Sequence, residues 1–500
     1  MGTVLRIARH WTLAAGLTAG LAFCARNPVT GKSELALVSE SQEIEMGKQY
    51  AQQIVQSMGV YRDQKVQDYV SGLGMALAQK SERPNLPWQF HVMDDPTVNA
   101  FALPGGPIFI TRGILAHMNS EAELVGVLGH EIGHVTARHS VQKMSREQLA
   151  QIGLGVGSII SSDVAKYAGM ASQGLGMLFL KYGRDAESQS DQLGFKYMVR
   201  DGYNPRAMAS MFETLERVSK LEGAGDVPEW ASTHPNPGNR VEATLKRMDT
   251  LSIPQSQLRL DQEKYLPVLA GMTYGEDPKQ GYFDGNTFYH PGLRFKVELP
   301  AGWKTQNSPQ AVVAMSPQED AILQLTAPGK GSPDEAAKQF LAQEGVKSAN
   351  TSSAPINGLP AVSSEFEAQT EQGAVQGLVS FIQYGELTYQ FVGYSPAGKL
   401  QGYDKALRST FGSFSELTDP DRLDVEAYKV ELVKVDREMT VAEFNQKYPS
   451  TIPVERLAVV NGRADVPERI PAGTTVKRII GGKGAPKPRT AEPADSAAGQ

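Results

Sequence analysis

The chain has 500 residues, 41% hydrophobic and 21% charged, which is ordinary globular material for two to four domains. Its net charge of −6 at pH 7, with no basic run, argues against a nucleic-acid partner. A single cysteine, Cys24, excludes an intramolecular disulfide.

The first segment reads as an export signal over residues 1–25. Arg6, Arg9 and His10 precede an apolar stretch from Trp11 to Ala25. That stretch is short for a bilayer span and fits a signal core, with an uncleaved anchor as the alternative. An exported chain without disulfides suits a bacterial periplasm. Leu21-Ala22-Phe23-Cys24 resembles a lipoprotein cleavage site, so attachment to the outer membrane through Cys24 stands beside soluble release. Phe23 departs from the small residue expected there.

Residues 39 to 80 read as helices. Met46, Tyr50, Ile54 and Val55 share one face, and Val66, Val70, Leu73 and Leu77 another. Trp88 to Val92 and Ile108 to Thr111 read as strands around the turn-rich Leu103-Pro104-Gly105-Gly106-Pro107. Pro107 has no N–H and belongs at an edge or at a strand start. An edge strand here could take an extended peptide by strand addition, so Gly105, Gly106, Pro107, Ile108 and Phe109 are candidate substrate-binding residues. Plain hairpin packing is the other reading.

A helix is expected next, with Ser120 as N-cap and Glu123 reaching back in a capping box. Leu124, Val127, Leu128, Ile132 and Val135 then repeat at helical spacing. Inside it lies His130-Glu131-Ile132-Gly133-His134. Histidines four apart share a helix face and can grip one ion, and Glu131 beside them can take a proton from a water on that ion. Gly126, Gly129 and Gly133 lower helix propensity but allow close approach of a neighbouring helix. His139 lies five residues past His134, turned off the ligand face, and reads as a surface residue. Ala137 and Ser140 stand where a metzincin would place Gly and His, which removes that class.

Gln151 to Leu180 is rich in glycine and apolar residues, but Asp163 and Lys166 interrupt it, so a helical arm is expected rather than a span. In Glu187-Ser188-Gln189-Ser190-Asp191, two acids four apart share a face. Glu187 could bind metal and Asp191 could orient a ligating histidine. Acids in a solvated first turn explain the same spacing equally well. Asn204-Pro205 marks another helix start.

Taken in order, Asn99–Leu115, Ser120–Ser140, Glu187–Asp191 and Thr233–Arg240 resemble the HtpX and BepA type of zinc metallopeptidase, which includes the CAAX prenyl protease of the membrane. The resemblance covers residues 35–250. It implies a mainly helical peptidase domain with a small edge sheet and one Zn²⁺ per subunit. His130, His134 and Glu187 would be the metal ligands, Glu131 the base and Asp191 the residue behind the ligands. It further implies that His234 takes the open zinc position and silences the enzyme, or that this loop, Arg240 included, steadies the charged intermediate.

Residues 251–286 read as a linker, and 287–417 as an α+β accessory domain. There Phe295, Val297 and Leu299 alternate with charged residues, and Tyr384-Gly385-Glu386 reads as a hairpin turn. Residues 430–481 loosely resemble a small LysM-like module, and 482–500 read as a disordered tail. The fold class expected is α+β throughout. The function expected is a zinc endopeptidase of the cell envelope acting on misfolded or stalled proteins. Its C-terminal modules would contact peptidoglycan or assembly machinery. The alternatives are a chaperone or assembly factor using the same cleft with little turnover, and a zinc hydrolase of non-peptide substrates.

Overall fold

The computed structural model describes residues 24–153, 181–222, 234, 237–370 and 373–484. The export signal up to residue 23, the arm over residues 154–180, the neighbours of His234 at 233, 235 and 236, and the tail from 485 lie outside the described residues. Among the described residues, no helix is long and apolar enough to cross a membrane. The fold is α+β, in two compact units. Among the described residues, the first holds 24–274 and 429–480, and the second 275–428 and 481–484.

The first unit opens with a hairpin, β1 (Cys24–Arg26) and β2 (Ser33–Leu35). Helix α1 (Glu40–Met58) starts in a capping box between Ser39 and Gln42. Helix α2 (Gln64–Ala78) starts at Asp63, whose carboxylate accepts from the Lys65 and Val66 N–H groups. Three strands follow, β3 (Gln89–Met93), β4 (Ala100–Ala102) and β5 (Pro107–Thr111), in the spatial order β3-β5-β4. Strand β5 runs parallel to β3 and antiparallel to β4. It is therefore the middle strand, hydrogen-bonded on both sides and buried along its whole length. This corrects the expectation that Pro107, Ile108 and Phe109 offer a peptide-binding edge. Pro107 is accommodated as the first residue of the strand, and Gly105 and Gly106 form the turn before it, both at positive φ.

Helices α3 (Arg112–His117), α4 (Glu121–Thr136), α5 (His139–Gly153), α6 (Arg184–Arg200), α7 (Arg206–Glu222), α8 (Pro237–Met248) and α9 (Gln262–Leu269) complete this part. Every residue of α4 is buried. It packs against α2, α6, α7, α9 and β4, so it has no solvent face. Ser120 accepts from the Glu123 N–H as expected, but the Glu123 carboxylate accepts from Asn119 N–H instead of closing the box on Ser120. The glycines of α4 meet small residues of α6. A Cβ on Gly129 would stand 3.1 Å from Gly194 Cα, and one on Gly133 would stand 3.1 Å from Ser190 Cα. Each glycine costs about 1 kcal/mol of helix propensity against alanine, and close packing of the two backbones offsets it. The stretch read as linker is ordered: α9 docks with Tyr265 donating to Leu115 O at 2.7 Å, and β6 (Thr273–Tyr274) follows.

The second unit begins with β7 (Tyr282–Asp284), β8 (Thr287–His290) and β9 (Phe295–Glu298). Seven strands, β10 (Lys304–Asn307), β11 (Ala311–Met315), β12 (Ile322–Lys330), β13 (Val346–Ser352), β14 (Ala361–Thr370), β15 (Gly373–Tyr384) and β16 (Leu387–Pro396), form an antiparallel sheet in the order β10-β11-β12-β16-β15-β14-β13. The hairpin at Tyr384-Gly385-Glu386 joins β15 to β16. Period-2 alternation feeds two cores. Leu378 and Ile382 face a cluster with Leu407 and Phe411 of α11 (Leu400–Ser413), while Val379 and Phe381 face Ala337 of α10 (Pro333–Leu341). Strand β17 (Ser415–Glu416) joins β9, and α12 (Pro420–Leu423) ends the unit's main run.

The chain then returns to the first unit as β18 (Tyr428–Lys434), β19 (Met439–Thr440), α13 (Val441–Lys447), α14 (Val454–Val460), β20 (Arg469–Ile470) and β21 (Thr475–Gly481). Strand β18 lies between β21 and β6, so the segment read as a separate module shares a sheet with residues before 275. Its Lys477 is fully buried and donates to Ala116 O at 2.8 Å and Met118 O at 2.6 Å, the carbonyls that end α3. Burial pushes the Lys477 ammonium down and the nearby Glu123 carboxyl up, and their mutual attraction opposes both shifts. Removing one member of a buried charged arrangement strands the other. Lys477→Ala should therefore lower unfolding free energy by about 3 kcal/mol in urea titrations. A variant within experimental error of wild type would show that the lysine is not a structural tie.

Candidate functional site

Helix α4 presents His130 and His134 from successive turns of one face, and α6 presents Glu187 and Asp191 from successive turns of its own. The close glycine crossing sets these faces together. His130 Nε2 lies 3.0 Å from His134 Nε2 and 3.6 Å from Glu187 Oε2. His134 Nε2 lies 3.4 Å from Glu187 Oε1. His234 joins them, its Nδ1 at 3.0 Å from Glu187 Oε1 and 3.3 Å from His130 Nε2. One ligand atom from each of these four buried residues falls within 4.8 Å of all the others.

Behind this cluster, Asp191 Oδ1 lies 2.9 Å from His130 Nδ1. Arg240, on α8, donates to Asp191 from Nε at 2.8 Å and from Nη2 at 2.6 Å, and its Nη1 stands 3.2 Å from Glu187 Oε2. Its guanidinium lies over the Phe212 ring, 4.1 Å from the centroid. Arg240 thus holds two buried carboxylates, and the geometry makes it a support for Asp191 and Glu187.

Burial would raise the carboxyl pKa of Glu187, but His234, His134 and Arg240 outweigh it and hold the group well below its ordinary value. Asp191 is lowered against burial by Arg240 and His130. Glu131 differs. Burial dominates there and pushes its pKa up. Both Glu131 oxygens are buried without a hydrogen bond, and His234 Nε2 stands 3.8 Å from Oε1. An unsatisfied buried carboxylate is expensive unless something absent from the protein chain meets it.

His139 was expected at the surface. It is 4% exposed, and its Nδ1 lies 2.9 Å from His134 Nδ1. The reason is local. Helix α4 stops at Thr136, Arg138 takes a left-handed conformation (φ 58°), and α5 begins at His139, folding its ring back toward α4. A non-glycine left-handed residue leaves little trace in a sequence. The other residue that sequence reading passed over is Tyr182. Its ring stacks on His134 with centroids 4.0 Å apart. An apolar recess lined by Gly126, Val127, Met208, Met211 and Phe212 adjoins His130.

Residues 64–248 match the family model for peptidase family M48. Over this stretch the chain is similar to that family. The chain is 28% identical over 233 residues to the beta-barrel assembly-enhancing protease of Escherichia coli (strain K12), covering 45% of this chain and 47% of that protein. The corresponding protein of Yersinia pestis is 29% identical over the same length. The mitochondrial metalloendopeptidase OMA1 of Bos taurus is 33% identical over 192 residues, 37% of this chain and 36% of that protein. The chain spans about half the length of the bacterial relatives it matches.

The donor set of this cluster fits zinc. Imidazole nitrogens and a carboxylate oxygen are its ordinary ligands, and no thiol is near. Glu187→Ala should abolish stoichiometric zinc in elemental analysis of the purified protein. Asp191→Ala should weaken zinc binding by roughly ten- to a hundred-fold. Full occupancy in Glu187→Ala would remove that residue from the site.

Proposed function

We propose that the chain is a zinc-dependent endopeptidase of the bacterial cell envelope, acting in the periplasm on misfolded or stalled proteins. The observation that carries this reading is Glu131: a buried carboxylate beside the four-residue cluster, with its pKa raised and neither oxygen hydrogen-bonded. A binding module has no use for such a group, which disfavours the chaperone reading. The envelope assignment rests on the signal-like start and on the relatives named for β-barrel assembly.

His130, His134 and Glu187 would hold the metal. The chemistry a bound zinc supplies is Lewis-acid polarisation of a carbonyl and a lowered pKa for water. Glu131 takes the proton of the attacking water on a carboxylate oxygen and returns it to the leaving amine. Asp191 and Arg240 keep His130 and Glu187 oriented. Strand β4 packs against α4 and, among the described residues, has a strand partner on one side only, so it is the better candidate for aligning a peptide than Gly105 to Phe109. His234 sits in the cluster itself, where it would compete with water and substrate for access, and we read it as a gate.

Glu131→Gln should keep zinc and lose cleavage of an unfolded protein followed by gel electrophoresis, as wild type does with a chelator. Wild-type rates in that variant would sink the mechanism. His234→Ala should raise basal proteolysis at unchanged zinc content. Lower activity with zinc retained would assign His234 to transition-state stabilisation.

A further inference from the structure

We propose that His139 is a positioning residue for His134, and that Gln189 sets it in turn. The inference rests on the zinc site proposed above. His134 turns Nε2 toward the cluster, 3.4 Å from Glu187 Oε1. A ligating nitrogen needs its lone pair, so the His134 proton must sit on Nδ1. That nitrogen lies 2.9 Å from His139 Nδ1, which must accept. The His139 proton is then on Nε2, 2.9 Å from the amide oxygen of Gln189, an acceptor. The Ser190 hydroxyl, 3.3 Å from His139 Nδ1, can donate to the same nitrogen. Both imidazole N–H groups in the relay Gln189–His139–His134 thus meet an acceptor. The reverse assignment would place a proton on His134 Nε2 and remove it as a ligand.

The two metal-facing histidines are thus oriented differently by one helix. Helix α6 gives Asp191 directly to His130, and gives Gln189 to His134 through His139. The chemistry explains the difference. Glu131, Glu187 and Asp191 are already buried here, balanced by Arg240 and the imidazoles. A neutral imidazole–amide pair fixes the second ring without a fourth buried carboxylate, whose desolvation would need its own counter-charge. Tyr182 closes the remaining side. Its ring stacks on His134, and its hydroxyl lies 2.8 Å from Ser140 Oγ. Stacking limits tilt of the imidazole while the relay fixes its rotation.

The test is zinc affinity of the full chain by competition with a chromogenic chelator, with urea unfolding of the metal-free protein alongside. His139→Phe fills the space without an acceptor, and Gln189→Leu removes the last acceptor at a half-buried position. Each should weaken zinc binding by about ten- to a hundred-fold. His139→Gln, which offers an amide oxygen to His134 Nδ1–H, should recover most of that loss. A merely structural His139 would instead lower metal-free stability and leave affinity per folded molecule unchanged. If His139→Phe does not fold, Gln189→Leu decides alone. Wild-type affinity in Gln189→Leu, or equal weakness in His139→Gln and His139→Phe, overturns the relay while the zinc site stands. Failure of the wild-type chain to bind zinc overturns the site and the relay together.

Discussion

The close crossing of α4 and α6 is the constraint on which the site depends. His130 and His134 ride on one helix, Glu187 and Asp191 on the other, and the separations among their polar atoms are 2.9–3.6 Å. Gly129, Gly133 and Gly194 supply the room for that approach. A Cβ at any of them would stand 3.1 Å from backbone of the facing helix, so the two helices would have to give by a few tenths of an ångström. The glycines weaken the helices that carry them, and burial of α4 on every side supplies the compensating stability.

Charge balance is the second constraint. Three carboxylates and one guanidinium are buried within a few ångströms, each 8% exposed or less. Arg240 bridges Asp191 and Glu187, so one cation serves two acids and leaves Glu131 alone without a donor. That asymmetry separates roles. The hydrogen-bonded carboxylates, Glu187 and Asp191, have lowered pKa values and remain anionic. The one without a hydrogen bond, Glu131, is raised by burial.

Much of this was legible in the sequence, for a physical reason. Helical periodicity is local, so HEIGH and ESQSD announce which atoms share a face, and Ser120 announces where a helix begins. What was not legible depends on tertiary placement. Nothing local shows that Arg138 turns left-handed and swings His139 under His134. Nothing local shows that β4 inserts beside β5 and turns an apparent edge into a middle strand. The return of residues 429–480 to the first unit is equally non-local. Lys477 becomes a core residue only because the carbonyls of Ala116 and Met118, some 360 positions earlier, face it. In the second unit, the alternation of Phe295, Val297 and Leu299 and the turn at Gly385 gave strands that the structure contains, because period-2 burial is again local.

The account turns on a single metal held where α4 meets α6. Anomalous diffraction from crystals of the full chain, collected on both sides of the zinc absorption edge, tests it most directly. The account predicts one peak per chain, enclosed by His130 Nε2, His134 Nε2 and a Glu187 carboxylate oxygen. A peak elsewhere, or well-ordered density for these residues with no zinc signal among them in zinc-replete protein, would contradict it.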